Sequence, residues 1–325
     1  MSEIVMKNYK FAVLDPRNLP SAQAANDAIF ASGPVLGIEV TVPALAARCS
    51  LGNIDPQHTG GNAGRSAIEV VIGIEMPAEW TTLATVRPDL DSVGAMSVIG
   101  IRHHLLESSG GCCDMPTFFC QEQVKMVAKA DKFAWGGYPG PRPLPTADNP
   151  WPEESASAES SRPLAAINAA VADFKVPFAE RVATMEKWLL TGEEPARYRE
   201  QVEKERDEMV GALESGAIKH LTTADDKIAV VESTHRAATM VGYSLAPVVV
   251  ALNPSFKLGV GEPHRKFTVC AFEAARFADI KAALAELAGL EPGWGGSPTI
   301  GGSPQGVSST LTVEQVVEVV ARHLK

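Results

Sequence analysis

The 325-residue chain contains no apolar run close to the roughly 20 residues that cross a bilayer. It also lacks the basic start and apolar segment of a secretory signal, so we expect a cytoplasmic protein without a membrane partner. The five cysteines are odd in number and form no CxxC pair, which argues against a disulfide framework and against a zinc site. A net charge of −10 disfavours binding to long nucleic acid, although a local basic pocket would still bind a small anion.

The length of the chain exceeds what one compact core usually holds and suggests two domains. Short β-like runs alternate with helical ones on both sides of a long helical region, which is typical of α/β proteins. We therefore expect an α/β fold with a mainly parallel N-terminal sheet domain and a smaller C-terminal α/β domain, joined by a helical linker. The expected boundaries are 1–138 for the first domain, 139–219 for a Pro-rich loop and the linker, and 220–325 for the second domain.

Hydrophobic periodicity predicts the elements of both domains. In the first domain it predicts a helix in SAQAANDAIFAS and strands in YKFAVLD, AIEVVIGI and TTLATV. In the second it predicts strands in KIAVVES, APVVVALNP and RKFTVCAF and helices in FADIKAALAELAGL and TVEQVVEVVARHLK. Thr312 precedes the last helix and Gln315 follows three residues later, which is the pattern of a capping box.

Two aspartates, Asp89 and Asp91, follow the predicted strand TTLATV and precede a helical stretch of small residues. Open α/β sheets bind ligands at the carboxyl ends of their strands. Carboxylates at such an edge suit Mg²⁺ or Mn²⁺, and Mn²⁺ also accepts imidazole, so Asp55 and His58 in a glycine-rich turn are natural companions. The alternative is a helix N-cap, which explains one of the two aspartates more easily than both.

Three segments resemble the DHH family of phosphoesterases. RPDLDSVGA is similar to the family's Asp-x-Asp signature and NIDPQHTGG to its Asp-His-His signature. GGSPQGVSSTL, residues 301–311, resembles the glycine loop of the DHH-associated C-terminal domain, with Ser303 in place of a histidine. The first two motifs occur in reversed order, and family histidines are missing at Thr85 and within DPQH. The resemblance is thus to a divergent, rearranged member, and it spans most of the chain.

The resemblance implies a metal-dependent phosphoesterase or phosphodiesterase that uses Mn²⁺ or Mg²⁺. Its substrate would be a small phosphorylated molecule or a short oligonucleotide, bound in a cleft between the domains. The implied metal ligands are Asp55, His58, Asp89 and Asp91, with Asp15 and Asp131 offered as the remaining carboxylates. Asp89, Asp91 and His58 would be the catalytic residues, and a water on the metal would be the nucleophile. Asp15 and Asp131 can equally be a turn residue and a helix-end charge.

The C-terminal domain would bind the anion of the substrate. Six glycines in GWGGSPTIGGSPQG can form a nest of backbone N–H groups, and basic residues precede them in the chain. The candidate substrate-binding residues are His264, Arg265, Gly301, Gly302 and Ser303. A flexible surface loop is the alternative interpretation of this segment.

Two other functions remain open. The missing histidines also fit a ligand-binding or regulatory protein of the same fold that has lost catalysis. The same metal pocket could instead hydrolyse a bond other than a phosphate ester. The apolar helix faces around Trp188 would permit a homodimer.

Overall fold

The structure is a computed structural model that describes residues 9–56, 65–75, 77–78, 80–108, 121–132, 138–152, 162–257 and 262–325. The chain forms two compact units. The first comprises Met1–Lys132 and Arg162–Val202, and the second comprises Phe133–Ser161 and Glu203–Lys325. Each unit contains its own sheet, so the predicted two-domain α/β fold is confirmed.

The described part of the first unit contains a four-stranded parallel sheet in the order β1-β4-β2-β3. Its strands are β1 (Lys10–Val13), β2 (Val35–Ile38), β3 (Asn53–Ile54) and β4 (Thr82–Thr85). Its helices are α1 (Pro20–Ala31), α2 (Pro43–Ala46), α3 (Ala67–Val70), α4 (Leu90–Ser108), α5 (Gln121–Asp131), α6 (Arg162–Ala172) and α7 (Phe178–Thr191). The next helix, α8 (Ala196–Glu214), contains the boundary between the units.

The helices α6 and α7 pack on α4 and so belong to the first unit. Gly94 permits this packing, since a Cβ there would lie 2.7 Å from Cδ1 of Ile68 and 3.0 Å from Cε of Met185. The segment 139–219, expected as a loop and linker, is therefore divided: 162–202 lies in the first unit and the remainder in the second. Trp188, which suggested a homodimer, is only 1% exposed, because it packs inside the chain.

The segment AIEVVIGI was predicted as a strand, but its first half forms the short helix α3. Ser66 and Glu69 form a capping box, in which each side chain bonds the other residue's backbone N–H. The carboxylate of Asp91 accepts hydrogen bonds from the N–H groups of Ala67 and Ile68. These contacts satisfy the donors at the start of the helix, and they outweigh the β-propensity of the sequence.

The described part of the second unit contains a six-stranded mixed sheet in the order β5-β6-β7-β8-β10-β9. Its strands are β5 (Lys219–Thr223), β6 (Ile228–Glu232), β7 (Val248–Phe256), β8 (His264–Ala271), β9 (Gly295–Gly296) and β10 (Ile300–Gly302). Its remaining helices are α9 (Ala238–Leu245), α10 (Ala274–Phe277), α11 (Ile280–Leu290) and α12 (Val313–Arg322). The predicted strands and helices of this domain are confirmed, including the capping box between Thr312 and Gln315 at the start of α12.

Among the described residues, no helix has both the length and the apolar character needed to cross a membrane.

Candidate metal centre

Three carboxylates from three different elements meet in the first unit. Glu39 follows β2, Asp91 lies in the first turn of α4, and Asp131 is the last residue of α5. One carboxylate oxygen of each residue lies within 4.8 Å of the other two. Glu39 is 8% exposed and Asp91 is 1% exposed, while Asp131 is half-buried. We call these three residues the acidic cluster.

The topology of the sheet explains why two of these residues meet. β2 and β4 are parallel neighbours, so the segments that leave their carboxyl ends emerge side by side. Glu39 is the first residue after β2, and β4 leads into α4 and Asp91. The third residue, Asp131, lies beside them because α5 packs against α3 and α4.

The backbone of Glu39 has a φ of 52°, in the left-handed region that residues other than glycine rarely adopt. Its N–H donates to the carbonyl of Ile54 at 2.9 Å. The side chain of Asn53 fixes the next residue, since it accepts from the N–H of Val40 and donates to its carbonyl, both at 3.1 Å. Such a conformation costs about 1–3 kcal/mol, and it persists only where surrounding contacts enforce it, often at functional sites.

Asp91 is oriented by α3. Its Oδ2 accepts from the N–H of Ala67 at 2.6 Å, and its Oδ1 accepts from the N–H of Ile68 at 2.8 Å. Each carboxylate oxygen has a further lone pair, so these bonds leave room for a cation. Glu69 in α3 also pairs with Lys132, the residue after Asp131, which ties the end of α5 to α3.

The three carboxyl groups are difficult to ionise together. Burial, followed by the charges of Asp91 and Asp89, raises the pKa of Glu39 to about 10. Burial raises the pKa of Asp91 to about 7, although the hydrogen bonds from α3 oppose this. Burial and then the charge of Asp91 raise the pKa of Asp131 to about 8, against the lowering effect of Lys132. At neutral pH the acidic cluster therefore requires bound protons or a cation.

The carboxylate of Glu39 carries the strongest indication of a ligand. Among the described residues it has no hydrogen-bond donor; the residue is 8% exposed, its oxygens still reach solvent, and two other carboxylates lie beside it. Three carboxylate oxygens are the hard donors that Mg²⁺ and Mn²⁺ prefer. A divalent cation would satisfy Glu39 and remove the repulsion, so the residues present fit such an ion.

Asp89 and Asp55 lie outside the acidic cluster but near enough for their charges to raise the pKa of Glu39. Asp89 is the N-cap of α4: its Oδ1 accepts from the N–H of Ser92 at 3.0 Å, while its own N–H donates to the hydroxyl of Ser92. Asp55 is buried directly after β3. His58 lies outside the described residues.

Asp15, offered as a further metal ligand, pairs with Arg17 instead. Nε and Nη2 of Arg17 donate to both carboxylate oxygens, the shortest distance being 2.6 Å. These bonds from Arg17 lower the pKa of Asp15 to about 2. Asp15 is not part of the acidic cluster.

The predicted anion-binding residues of the second unit are engaged in its own structure. Gly301 and Gly302 form β10, which pairs with β8 and β9, so they lie in a strand and not in an open nest. Nη1 of Arg265 donates to the carbonyls of Ser309 and Leu311.

The side chains of His264, Ser303 and Lys266 also form hydrogen bonds within the second unit. Nε2 of His264 accepts from the N–H of Gly306 at 3.2 Å. The hydroxyl of Ser303 accepts from the N–H of Phe267 at 3.0 Å. Lys266 donates to the carbonyl of Ser303.

The sequence interpretation identified Asp91 and Asp131 but missed Glu39. The available signal is the apolar run PVLGI, which ends directly before Glu39 and is not among the predicted strands. Comparison with known proteins does not supply a family: no protein-family model matches the chain, and no curated protein matches it.

Proposed function

We propose that the protein is a metal-dependent hydrolase of phosphate esters, with Mn²⁺ or Mg²⁺ held by Glu39, Asp91 and Asp131. The observation that carries this proposal is the buried Glu39 carboxylate, which lacks a hydrogen-bond donor among the described residues and faces two further carboxylates. Glu39 and Asp91 meet at the carboxyl edge of the parallel sheet, where α/β proteins commonly bind ligands.

The chain's own residues prepare this site. α3 fixes both oxygens of Asp91 through the N–H groups of Ala67 and Ile68, so this ligand is oriented in advance. The turn that contains Glu39 is held by β3. A cation held there would polarise a phosphoryl oxygen and lower the pKa of a coordinated water, so that no protein nucleophile is needed.

The resemblance to the DHH family is part of the proposal, in a divergent form. In its favour, Asp91 is the second aspartate of the Asp-x-Asp motif and belongs to the acidic cluster. The first, Asp89, would act through its negative charge and as the cap of α4. Thr85, which stands where the family has a histidine, is buried, and its hydroxyl hydrogen-bonds only with the backbone of Arg87 among the described residues.

The test combines metal analysis with hydrolysis assays. Purified protein should take up Mn²⁺ near stoichiometry and should hydrolyse bis-p-nitrophenyl phosphate, p-nitrophenyl phosphate or short oligonucleotides only when Mn²⁺ or Mg²⁺ is added. Glu39→Gln and Asp131→Asn should each reduce this rate by more than about a hundredfold, beyond the range typical of outer-shell groups. Glu180→Gln is the matched control, because Glu180 is exposed on α7.

Each result has a distinct meaning. Equal rates in Glu39→Gln, Glu180→Gln and wild type would refute the role of the acidic cluster. Stoichiometric Mn²⁺ without hydrolysis of any ester would refute the hydrolase and leave the ligand-binding alternative. Absence of metal uptake would refute the metal centre itself.

A further inference from the structure

The first unit contains a cavity that is separate from the acidic cluster. Its volume is about 480 Å³, within the range of roughly 300–1,000 Å³ that small-molecule sites occupy. It is lined by the loop after β1, by α1 and by the segment around α2, and none of the three residues of the acidic cluster lines it. We propose that this cavity binds the phosphate group of a small phosphorylated molecule through Arg17 and Arg48.

The two arginines reach the cavity from different elements. Arg17 lies in the loop between β1 and α1 and is 68% exposed, and Arg48 follows α2 and is 40% exposed. The guanidinium of Arg48 lies over the ring of Phe30, 4.2 Å from its centroid, which orients the plane of the guanidinium. Arg48 is paired with Asp27 through Nη2 only.

Among the described side chains that line the cavity, donors without a partner outnumber the acceptors without one, which are Oδ2 of Asp27 and Oε1 of Gln23. Both oxygens of Asp15 are already used by Arg17. Nη1 of Arg17, and Nη1 and Nε of Arg48, have no partner among the described residues. The amide nitrogen of Asn18 is also without a partner there, since Asn18 uses only its oxygen, which accepts from Gln23. A cavity with surplus donors selects a ligand with surplus acceptors.

A phosphate fits this arrangement better than a carboxylate. The two oxygens of a carboxylate are satisfied by one guanidinium group, whereas the three terminal oxygens of a phosphate monoester can accept from Nη1 of Arg17 and from Arg48 at once. The ion pair of Arg48 with Asp27 is exposed and made by one nitrogen, so it offers little resistance to a competing anion, whereas Arg17 can remain paired with Asp15 and donate through Nη1.

The helix α1 and the apolar residues beside the cavity also favour a phosphate monoester as the ligand. The first turn of α1 has no acidic residue and its N-cap, Leu19, provides no side-chain bond, so the positive end of the helix dipole is not neutralised there. Val42 and Leu45 form an apolar wall for the body of the ligand. This site does not depend on the proposed hydrolase activity, because it requires no metal.

The experiment is calorimetric titration of the full chain in EDTA and a phosphate-free buffer, with inorganic phosphate, phenyl phosphate and benzoate as probes. We expect phenyl phosphate to bind more tightly than inorganic phosphate, because of the apolar wall, and more tightly than benzoate. Arg17→Gln and Arg48→Gln should each weaken binding of phenyl phosphate about tenfold or more, since each removes a charged fork. Arg48→Lys, which retains the charge and should fold if Arg48→Gln does not, should weaken it as well.

Arg199→Gln is the matched control, because Arg199 is exposed on α8 and does not line the cavity. Absence of binding by wild type, unchanged binding in the Arg17 and Arg48 variants, or equal binding of benzoate would overturn the proposal. Binding that is absent in EDTA and appears only with added Mn²⁺ would also overturn it and would assign the anion to the acidic cluster instead. Failure of metal uptake, by contrast, would leave this site untouched.

Discussion

Replacement of Glu39 by glutamine provides the most direct test of the acidic cluster. The amide keeps the shape of the side chain and removes its charge. In metal-free protein at pH 7 we expect Glu39→Gln to be more stable than wild type, because the buried carboxyl must otherwise ionise beside Asp91 and Asp131 or retain a proton. With Mn²⁺ bound we expect the opposite order, since the variant has lost a ligand.

The magnitude follows from the geometry. Two unit charges 4.8 Å apart repel by about 3.5 kcal/mol at an effective dielectric constant near 20, so each of Asp91 and Asp131, when ionised, opposes an ionised Glu39 by about this much, in addition to the cost of burying the charge. Retaining the proton is cheaper, because protonating a glutamate of ordinary pKa 4.5 at pH 7 costs about 3.4 kcal/mol. The smaller figure limits the gain from Glu39→Gln to about 3.4 kcal/mol at pH 7.

The dependence on pH has a definite sign. The folded protein raises the pKa of Glu39 from 4.5 to about 10, so the folded state holds a proton that the unfolded state releases. The associated stability is complete below pH 4.5 and is lost as the pH rises toward 10, at about 1.4 kcal/mol per pH unit. The advantage of Glu39→Gln should therefore be near zero at pH 4.5 and grow steadily above it.

Hydrogen exchange of peptides from β2 and α4 is the appropriate assay, because a chain with two units need not unfold in one step. Wild type, Glu39→Gln and the control Glu180→Gln would be compared between pH 5 and 8 in EDTA and then with Mn²⁺. At a hundred times its dissociation constant, Mn²⁺ should add about 2.7 kcal/mol to wild type and markedly less to Glu39→Gln. A pH-independent difference in EDTA, together with equal stabilisation of both proteins by Mn²⁺, would refute the reasoning.

Three further predictions concern the same structure. Affinity for Mn²⁺ should rise between pH 6 and 8, by about tenfold per pH unit for each proton that the metal displaces. The reason is that burial raises the pKa of Asp91 to about 7 and that of Asp131 to about 8. Calorimetry in buffers of different ionisation enthalpy counts the protons released. Asp91→Asn should weaken the start of α3 at pH 8, above the pKa of about 7, because the ionised carboxylate accepts from both N–H groups whereas an amide has one acceptor oxygen. Faster exchange in α3 would verify this and unchanged exchange would contradict it. Gly301→Ala should destabilise the second unit by about 1–3 kcal/mol, since its Cβ would lie 2.6 Å from the backbone carbonyl oxygen of Gly295 as well as 2.3 Å from Cδ1 of Leu284. Exchange in β8 and β10 should rise, and wild-type protection would contradict this.

The sequence predicted β1, β4 and α1 of the first unit, but it predicted neither β2, inside the sheet, nor β3 at its edge. β1, β4 and α1 were found because their periodic or β-branched runs end at turn residues. β2 was missed because VLGI is short and buried on both faces, so it shows no alternation. With β2 unassigned, Glu39 had no position in the fold, and a left-handed glutamate is not foreseeable from composition.

Contacts between residues close and distant in the chain account for the other differences between the predicted and the observed structure. α3 has a capping box that was readable from Ser66 and Glu69, but its second source of capping is Asp91, more than twenty residues later in the chain. The glycines around Gly301 were interpreted as an anion-binding nest. In the structure Gly296 and Gly301 pair in adjacent strands at a separation that no Cβ would tolerate, so the glycines serve strand packing.

The energetic burden on the first unit is the strongest argument that the acidic cluster binds a cation. A left-handed glutamate and mutually repelling buried carboxyl groups both oppose folding at neutral pH. Hydrogen bonds from α3 compensate only Asp91, and Lys132 acts on Asp131, while Glu39 receives neither among the described residues. A bound divalent cation would replace the repulsion among the three carboxylates by their attraction to the cation. It would also give a reason for the strained backbone at Glu39. Replacing these carboxyl groups by amides or apolar side chains of equal volume should therefore stabilise the metal-free protein, and added Mn²⁺ should reverse that order if the proposed metal centre exists.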